Sequence, residues 1–329
     1  MSILFLDSVM SKEHLLRYST FSGVTIQTGV SESGRDAYQF TAVGGPQMTR
    51  SISPTTSLMA GFYGLTTNLT GDSGLSGFQL RVGATARIAL HITISGAVRI
   101  RAGVGGSIIA TSATGVVGVN QWNYYELRAV LGGSGIVQVW VNGAQVINFS
   151  GAIGAAADFD DATFSRFSLG NWQVSDIEIR DDTLPTGPHR IWWLLPNGAG
   201  TNTNLSRFPD TGEANWQDVD EVTPDDDATY VFSATEGDYD TYAFDDLPAG
   251  TWDVLGVQTS LIARAEGGGA KFLRPVIRSG VSEVQGASFA LGASYGLNLQ
   301  VFDDNPVTAA PWTQSEVDGV EIGPEVRDS

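Results

Sequence analysis

Apolar and polar residues alternate along the middle of the chain in the way that antiparallel strands require. The strand-like runs 122–131 and 136–141 are joined by a glycine-rich turn, and Asn142-Gly143 then leads into a third run, 144–149. Asn-Gly accommodates the positive φ angles of a tight hairpin turn. The pattern therefore predicts a three-stranded antiparallel meander.

Because side chains alternate between the two faces of a strand, the meander has two predicted faces. Val137, Val139 and Val141 lie on one face, which we expect to be buried in the core. The opposite face combines an aromatic ring with hydrogen-bonding groups, an arrangement that suits the binding of a sugar ring. The candidate ligand-binding residues on this face are Trp140, Gln138, Glu126 and Arg128. The alternative is that Trp140 packs under a loop while Glu126 and Arg128 form an ion pair.

Short apolar runs separated by glycine or polar turns predict further strands on both sides of the meander. In the first half these strands are 77–82, 87–94, 98–101, 164–170 and 173–180. In the second half they are 190–195, 228–233, 253–265, 270–279 and 296–302. Turns at such short intervals indicate an all-β chain built from two antiparallel β-sandwich domains.

One helix is predicted near the end of the chain. Thr313 and Glu316 have the spacing of a capping box, in which the two side chains bond reciprocally to backbone amides at a helix start. Val317 and Val320 would form the apolar side of a helix of two turns, and Gly323-Pro324 would end it.

Charge divides the chain near residue 185. Residues 1–184 contain 11 basic and 13 acidic side chains, a net charge of −2, whereas residues 185–329 contain 7 and 23, a net charge of −16. The segment 181–188 has two prolines and a glycine, which is the composition of a short stiff linker. We therefore expect one domain over 1–184 and an acidic domain over 185–329.

Composition excludes several classes of function. The net charge of −18 over 329 residues repels phosphate backbones and anionic lipid surfaces, so neither nucleic-acid binding nor membrane insertion is expected. There is no cysteine, which removes disulfides, thiolate nucleophiles and sulfur-ligated zinc. The histidines, His14, His91 and His189, are too scattered to form a metal cluster. We expect no cofactor and no metal.

Clustered carboxylates could serve as catalytic groups or as calcium ligands. Asp176 and Glu178 occupy alternate positions of one predicted strand, as catalytic carboxylates of glycosidases do, but Arg180 stands at the third position of the series. The acidic clusters 158–161 and 225–227 lack the regular spacing of a calcium loop and are interpreted as solvated turns. The segment 102–125 carries no charge and indicates either a partner surface or a buried sandwich edge.

The first half resembles a known fold family. Trp122-x-x-x-Glu126-x-Arg128, the glycine turn, the run ending in Asn142-Gly143, and the segment 175–182 are similar to the concanavalin A-like jelly roll of laminin-G-type modules. The opening 5–9, with Tyr18 downstream, is similar to versions of this module in tailed-phage structural proteins. The resemblance implies a lectin-type jelly roll over 1–184.

The second half resembles the C-terminal module of virion structural proteins of tailed phages. The residues that carry this resemblance are 193–198, 216–221, 257–258, 273–280 and 302–312. The two resemblances imply a non-enzymatic virion protein, assembled in the host cytoplasm and displayed on the virion surface as a tail-fibre or tail-tip component. It would contact host glycans or neighbouring virion proteins, dock to the particle through its acidic half and form a homo-oligomer, with a trimer favoured. The alternatives are a capsid or tail decoration protein without sugar binding and, third, a glycosidase.

Overall fold

The structure is a computed structural model of the chain. It describes residues 2–9, 17–31, 36–41, 46–67, 69, 77–165, 172–267 and 271–328. The chain divides into two compact units, Met1–Ile191 and Trp192–Ser329. Both units are built almost entirely from antiparallel strands, so the predicted all-β class is confirmed. Across the described residues, no helix is both long and apolar enough to cross a bilayer.

The first unit contains fifteen strands in the described residues. They are β1 (Ile3–Asp7), β2 (Thr20–Ser22), β3 (Val24–Gln27), β4 (Ala37–Phe40), β5 (Gln47–Thr55), β6 (Ser57–Thr66), β7 (Phe78–Val82), β8 (Thr85–Ile92), β9 (Val98–Arg101), β10 (Ile108–Thr111), β11 (Trp122–Val130), β12 (Gly132–Val141), β13 (Ala144–Ile153), β14 (Phe159–Ser165) and β15 (Trp172–Arg180).

These strands form two sheets. The large sheet has eight strands in the order β13-β12-β11-β6-β15-β4-β3, with β1 also paired to β15. The second sheet has seven strands in the order β10-β9-β8-β7-β14-β5-β2. Strands distant in sequence are neighbours in both sheets, as in a jelly-roll sandwich. The meander is confirmed as β11, β12 and β13, and the turn residues Asn142 and Gly143 have φ values of 52° and 81°.

An aromatic cluster between the two sheets forms the centre of the first core. The ring of Phe62 on the large sheet lies 5.1 Å from the rings of Phe78 and Phe164 on the second sheet. Tyr125 stacks on Phe62 at 5.5 Å, and Trp172 meets it edge-on at 6.2 Å. All five side chains are fully buried, and edge-to-face or offset packing of such rings is favourable beyond the area they bury.

The face predicted from the valines of the meander is part of this core. Val137 and Val139 are fully buried and Val141 is 4 % exposed, so that assignment is confirmed. One neighbouring strand differs from its prediction, since β14 begins at Phe159 rather than at Phe164. The rest of the predicted strand 164–170, beyond Ser165, lies outside the described residues.

The second unit contains one main sheet and several small ones. Its elements are β16 (Pro196–Thr203), β17 (Ser206–Phe208), a 3-10 turn (Asn215–Asp218), β18 (Tyr230–Phe232), β19 (Asp240–Phe244), β20 (Val257–Ala263), β21 (Phe272–Ser279), β22 (Ser282–Gln285), β23 (Phe289–Ala290), β24 (Gly296–Phe302), β25 (Asp304–Asn305), β26 (Ala310–Pro311), α1 (Gln314–Asp318) and β27 (Glu321–Arg327). The main sheet has the order β16-β19-β27-β21-β22, with β23 on β21, and three two-stranded pairs join β17 to β18, β20 to β24 and β25 to β26.

The predicted strand over 190–195 is wrong, because these residues are irregular chain. Leu194 packs against the apolar cluster of the second unit, which includes Ile277, Phe302 and Trp312. The apolar pattern of this segment therefore arises from the burial of Leu194 and not from pairing with another strand.

The capping box at the C-terminal helix is confirmed, whereas the predicted helix length is wrong. Thr313 accepts a hydrogen bond from the Glu316 amide and its own amide donates to the Glu316 carboxylate. Val317 is 5 % exposed and packs into the core as expected. The helix has only five residues and ends at Gly319, because the backbone from Glu321 onward is held in β27 by its neighbours in the sheet.

Candidate functional site on the outer face of the large sheet

The four residues predicted to bind a ligand do share one face of the large sheet. Glu126 of β11 lies directly opposite Trp140 of β12, and Arg128 lies opposite Gln138 in the same pair of strands. The Arg128 guanidinium donates a 3.0 Å hydrogen bond to the Gln138 side-chain oxygen. This face points away from the aromatic cluster, and we call it the outer face.

The predicted exposure of this face is wrong. Trp140 is only 8 % exposed and Glu126 is fully buried, while Arg128 and Gln138 are half-buried. Neither ring face of Trp140 is therefore available as an open platform for a sugar. The alternative ion pair between Glu126 and Arg128 is also wrong, since Glu126 pairs with Arg180 of β15 instead, at 3.3 Å.

Residues 182–191 lie across the part of the outer face that β11, β6 and β15 form, and we call this segment the strap. The Thr186 amide donates to Glu126 Oε1 at 2.8 Å, and the Gly187 amide donates to Glu126 Oε2 at 3.2 Å. The guanidinium of Arg190 lies 4.1 Å from the centre of the Tyr63 ring. These contacts tie to the first unit a segment that the sequence assigned mainly to the second domain, and the first unit extends to Ile191.

One buried cation contacts several carboxylates of this face. Arg180 is fully buried, and its Nε lies 2.8 Å from Glu178 Oε2 while its Nη2 lies 3.3 Å from Glu126 Oε1. Its Nη1 lies 3.4 Å from the Asp182 carboxylate and donates to the carbonyl oxygen of Leu184 at 3.3 Å. Buried carboxylates are tolerated only when they are paired and hydrogen-bonded. Arg180 therefore pairs with both sheet carboxylates and binds the start of the strap at the same time.

The space for this network depends on a glycine. Gly61 of β6 lies between Glu126 of β11 and Glu178 of β15 in the sheet register. A Cβ atom at this position would overlap the hydroxyl of Tyr124. The absence of a side chain at residue 61 lets Tyr124 extend across the sheet beneath the strap.

The hydroxyl of Tyr124 contacts His189 of the strap. His189 Nδ1 lies 3.0 Å from the Tyr124 hydroxyl, and His189 Nε2 lies 3.5 Å from Glu178 Oε2. Burial lowers the pKa of His189 to about 4, and burial raises the pKa of Tyr124 well above 10. Both rings are therefore neutral at pH 7, and they complete a packed polar layer between the strap and the sheet.

The two carboxylates considered for glycoside hydrolysis lie on an irregular part of β15. A register shift between Ser175 and Glu178 interrupts the alternation of β15, and Asp176 has a positive φ of 48°. The Asp176 carboxylate accepts a hydrogen bond from the Ile191 amide of the strap at 3.2 Å. Asp176 and Glu178 are each 1 % exposed, so neither carboxylate is open to solvent.

The acidic clusters have structural partners. Asp160 accepts a 2.7 Å bond from the Gly83 amide, Asp225 accepts one from the Thr229 amide, and Asp227 pairs with Arg264 at 2.8 Å. Among the described residues there is no group of three or more His, Cys, Asp or Glu side chains that could hold a metal ion. His14 lies outside the described residues.

Sequence reasoning missed the network of Glu178, Arg180 and His189 with Glu126. One signal was present, because Glu126, Glu178 and Arg180 fall at alternating positions of predicted strands. That alternation did not reveal that β6 lies between β11 and β15, nor that the linker folds back over them.

No protein-family model matches the chain, and no curated protein matches it. Several solved structures are similar to part of it. Cellulose induced protein Cip1 is 10 % identical with a TM-score of 0.41, covering 52 % of this chain and 90 % of Cip1. An endo-β-1,4-glucuronan lyase from the fungus Trichoderma reesei is 11 % identical with a TM-score of 0.39, covering 54 % of this chain and 95 % of the lyase.

The receptor-binding domain of a botulinum neurotoxin of mosaic serotype C/D is 9 % identical with a TM-score of 0.41. The match covers 56 % of this chain and 48 % of the toxin domain, so the chain spans about half of that domain's length. At these identities and scores, none of the three assigns an activity or a ligand to this chain.

The first prediction concerns the bond between Glu126 and the strap. Glu126→Gln removes one of the carboxylate charges paired with Arg180. It also places a neutral amide where the backbone N–H groups of Thr186 and Gly187 donate to a carboxylate. We expect the first unit to lose about 3 kcal/mol of unfolding free energy, the scale of a broken buried ion pair. Limited trypsin digestion should cut after Arg190 much faster than in the wild type.

Asp158→Asn is the matched control, since it removes one carboxylate charge at an exposed position of the same unit. It should leave both the thermal midpoint and the trypsin pattern unchanged. Equal behaviour of the two variants would show that Glu126 does not hold the strap.

The second prediction is a pH dependence caused by His189. The folded state keeps this imidazole neutral down to about pH 4, whereas the unfolded chain protonates it near pH 6.5. The unfolded state therefore binds more protons between these values, and stability must fall as the pH is lowered from 6.5 to 4, by at most about 3 kcal/mol. His189→Gln should flatten this part of the stability curve measured by urea unfolding. An unchanged slope would contradict the assignment.

Proposed function

We propose that this chain is a non-enzymatic structural protein of a tailed-phage particle, displayed on the particle surface and acting through contacts with neighbouring proteins. The observation that carries the proposal is the closure of the outer face by the strap. Carboxylates suited to chemistry are present on that face, but Glu126 and Asp176 accept backbone hydrogen bonds from the chain's own linker.

A catalytic role requires that a substrate reach the reacting groups. Glu126 and Glu178 are at most 1 % exposed, and Glu126 already accepts two backbone N–H bonds as well as the Arg180 contact. Hydrolysis by two carboxylates further needs an accessible proton donor at a fixed separation from its partner. The geometry supports a structural use of both carboxylates.

The assignment to a phage particle is supported by the sequence resemblances of the two halves. In this proposal the chain assembles in the host cytoplasm, and its acidic second half docks to the particle. A decoration protein of the capsid or tail and a component of the tail tip are both included, because their protein contacts are of the same kind.

Glycan contact is the second candidate, and one observation outside the predicted site favours it. Phe208 and Phe232 are 47 % and 48 % exposed, and Tyr230 stacks on Phe208 with ring centres 5.2 Å apart. The register of β17 and β18 places these three rings on one face of the strand pair. Exposed aromatic rings can stack on sugars. These three rings therefore replace Trp140 as the candidate glycan contact.

The third prediction tests the proposed function. An antiserum against the purified chain should detect it in tailed particles isolated from a lysate of the strain that encodes it, and gold labelling should place it on their surface. The purified chain should release no product from a panel of neutral and acidic polysaccharides. Detection only in the particle-free fraction would contradict the virion role.

Turnover of any polysaccharide that disappears in Glu178→Gln would contradict the non-enzymatic role. A glycan array separates the two candidates. Binding that is lost in Phe208→Ala but kept in Phe21→Ala, which alters an equally exposed ring of the first unit, would favour glycan contact.

A further inference from the structure

Two strands on the same side of the first unit have a free edge. β13 ends the strand order of the large sheet and β10 ends that of the second sheet, among the described residues. The two strands also approach each other, so this side carries both layers of the sandwich. The unpaired N–H and C=O groups of an edge strand are a template for pairing with another strand.

This side is almost free of charge. Between Arg101 and Asp158 the only charged residues are Glu126 and Arg128, and Glu126 is fully buried against Arg180. Neither β10 nor β13 contains a charged residue or a proline. Natural proteins usually block a long free edge with charges, prolines or a short strand. β13 has ten residues and none of these protections, whereas β3, at the opposite end of the large sheet, has only four residues.

The exposed side chains along this side carry no charge. Gln145, Asn148, Ser150 and Ala152 are exposed on β13, and they are small or polar without charge. On the other layer, Ile108 of β10 is 51 % exposed. An exposed apolar side chain beside an uncharged strand edge can be covered by a second sandwich of the same kind.

We infer that β13 pairs antiparallel with β13 of a second copy of this chain about a two-fold axis, which joins the two large sheets into one continuous sheet. The lack of charge selects this side, and the self-complementarity of an antiparallel strand pair admits a second copy as the occupant. Two copies that each carry a net charge of −18 repel each other, and a charge-free side is where they can approach most closely. A strand is also complementary to its own antiparallel copy, as an isologous contact requires.

This inference replaces the expected trimer with a dimer. A three-fold axis would bring two different surfaces of the chain together and would not pair β13 with itself. The inference is independent of the virion role, because self-association is measured on the purified chain alone.

The fourth prediction is the oligomeric state and its dependence on β13. Sedimentation of the full-length chain at micromolar concentration should show a dimer. Ser150→Lys places a charge on the paired edge of each copy and should weaken dimerisation by about tenfold or more, since the two copies then carry like charges into one shared sheet. Thr25→Lys is the matched control, because it makes the same charge change at an exposed position of β3, and it should leave the dimer intact.

Cross-linking gives a second measurement, because the wild-type chain has no cysteine. Single variants Asn148→Cys and Ser150→Cys should form covalent dimers with a short bis-maleimide, and Thr25→Cys should not. A monomer at every concentration, a trimer, a dimer unaffected by Ser150→Lys, or equal cross-linking through Thr25→Cys would each overturn the inference.

Discussion

The outer face of the first unit depends on the ion pairs between one buried cation, Arg180, and the carboxylates around it. Arg180 reaches Glu178 within its own strand, Glu126 two strands away, and the carbonyl oxygen of Leu184 in the strap. Without this guanidinium two carboxylates would be buried without a cation between them, a state that costs several kcal/mol for each charge. The same contacts that satisfy the charges therefore close the face.

The covered face explains how groups typical of chemistry can serve architecture. His189 lies between Tyr124 and Glu178, with 3.0 Å from its Nδ1 to the Tyr124 hydroxyl and 3.5 Å from its Nε2 to Glu178 Oε2. Burial lowers the pKa of His189 to about 4 and raises the pKa of Tyr124 further above 7, so both rings are neutral at pH 7. With the strap in place, the contact with the Tyr124 hydroxyl positions His189 on the sheet.

Much of the fold follows from local sequence. The meander, its Asn142-Gly143 turn and the Thr313 cap depend on neighbours within a few residues, and each was predictable. The face of Trp140 was also predictable, since alternation fixes it, but its burial was not. Alternation says nothing about which distant segment covers a face. The same limit applies to Asp176, since no neighbouring residue indicates the register shift in β15. It also applies to residues 190–195, where Leu194 is partly buried but the backbone pairs with no strand.

Glu126 fixes the strap to the outer face through the amides of Thr186 and Gly187. Hydrogen exchange of these two amides in the wild-type chain measures how firmly the strap is held. We expect them to exchange as slowly as amides of the neighbouring sheet strands, since opening the strap would expose buried charge. Exchange at the rate of an unstructured linker would show that Glu126 does not fix the strap.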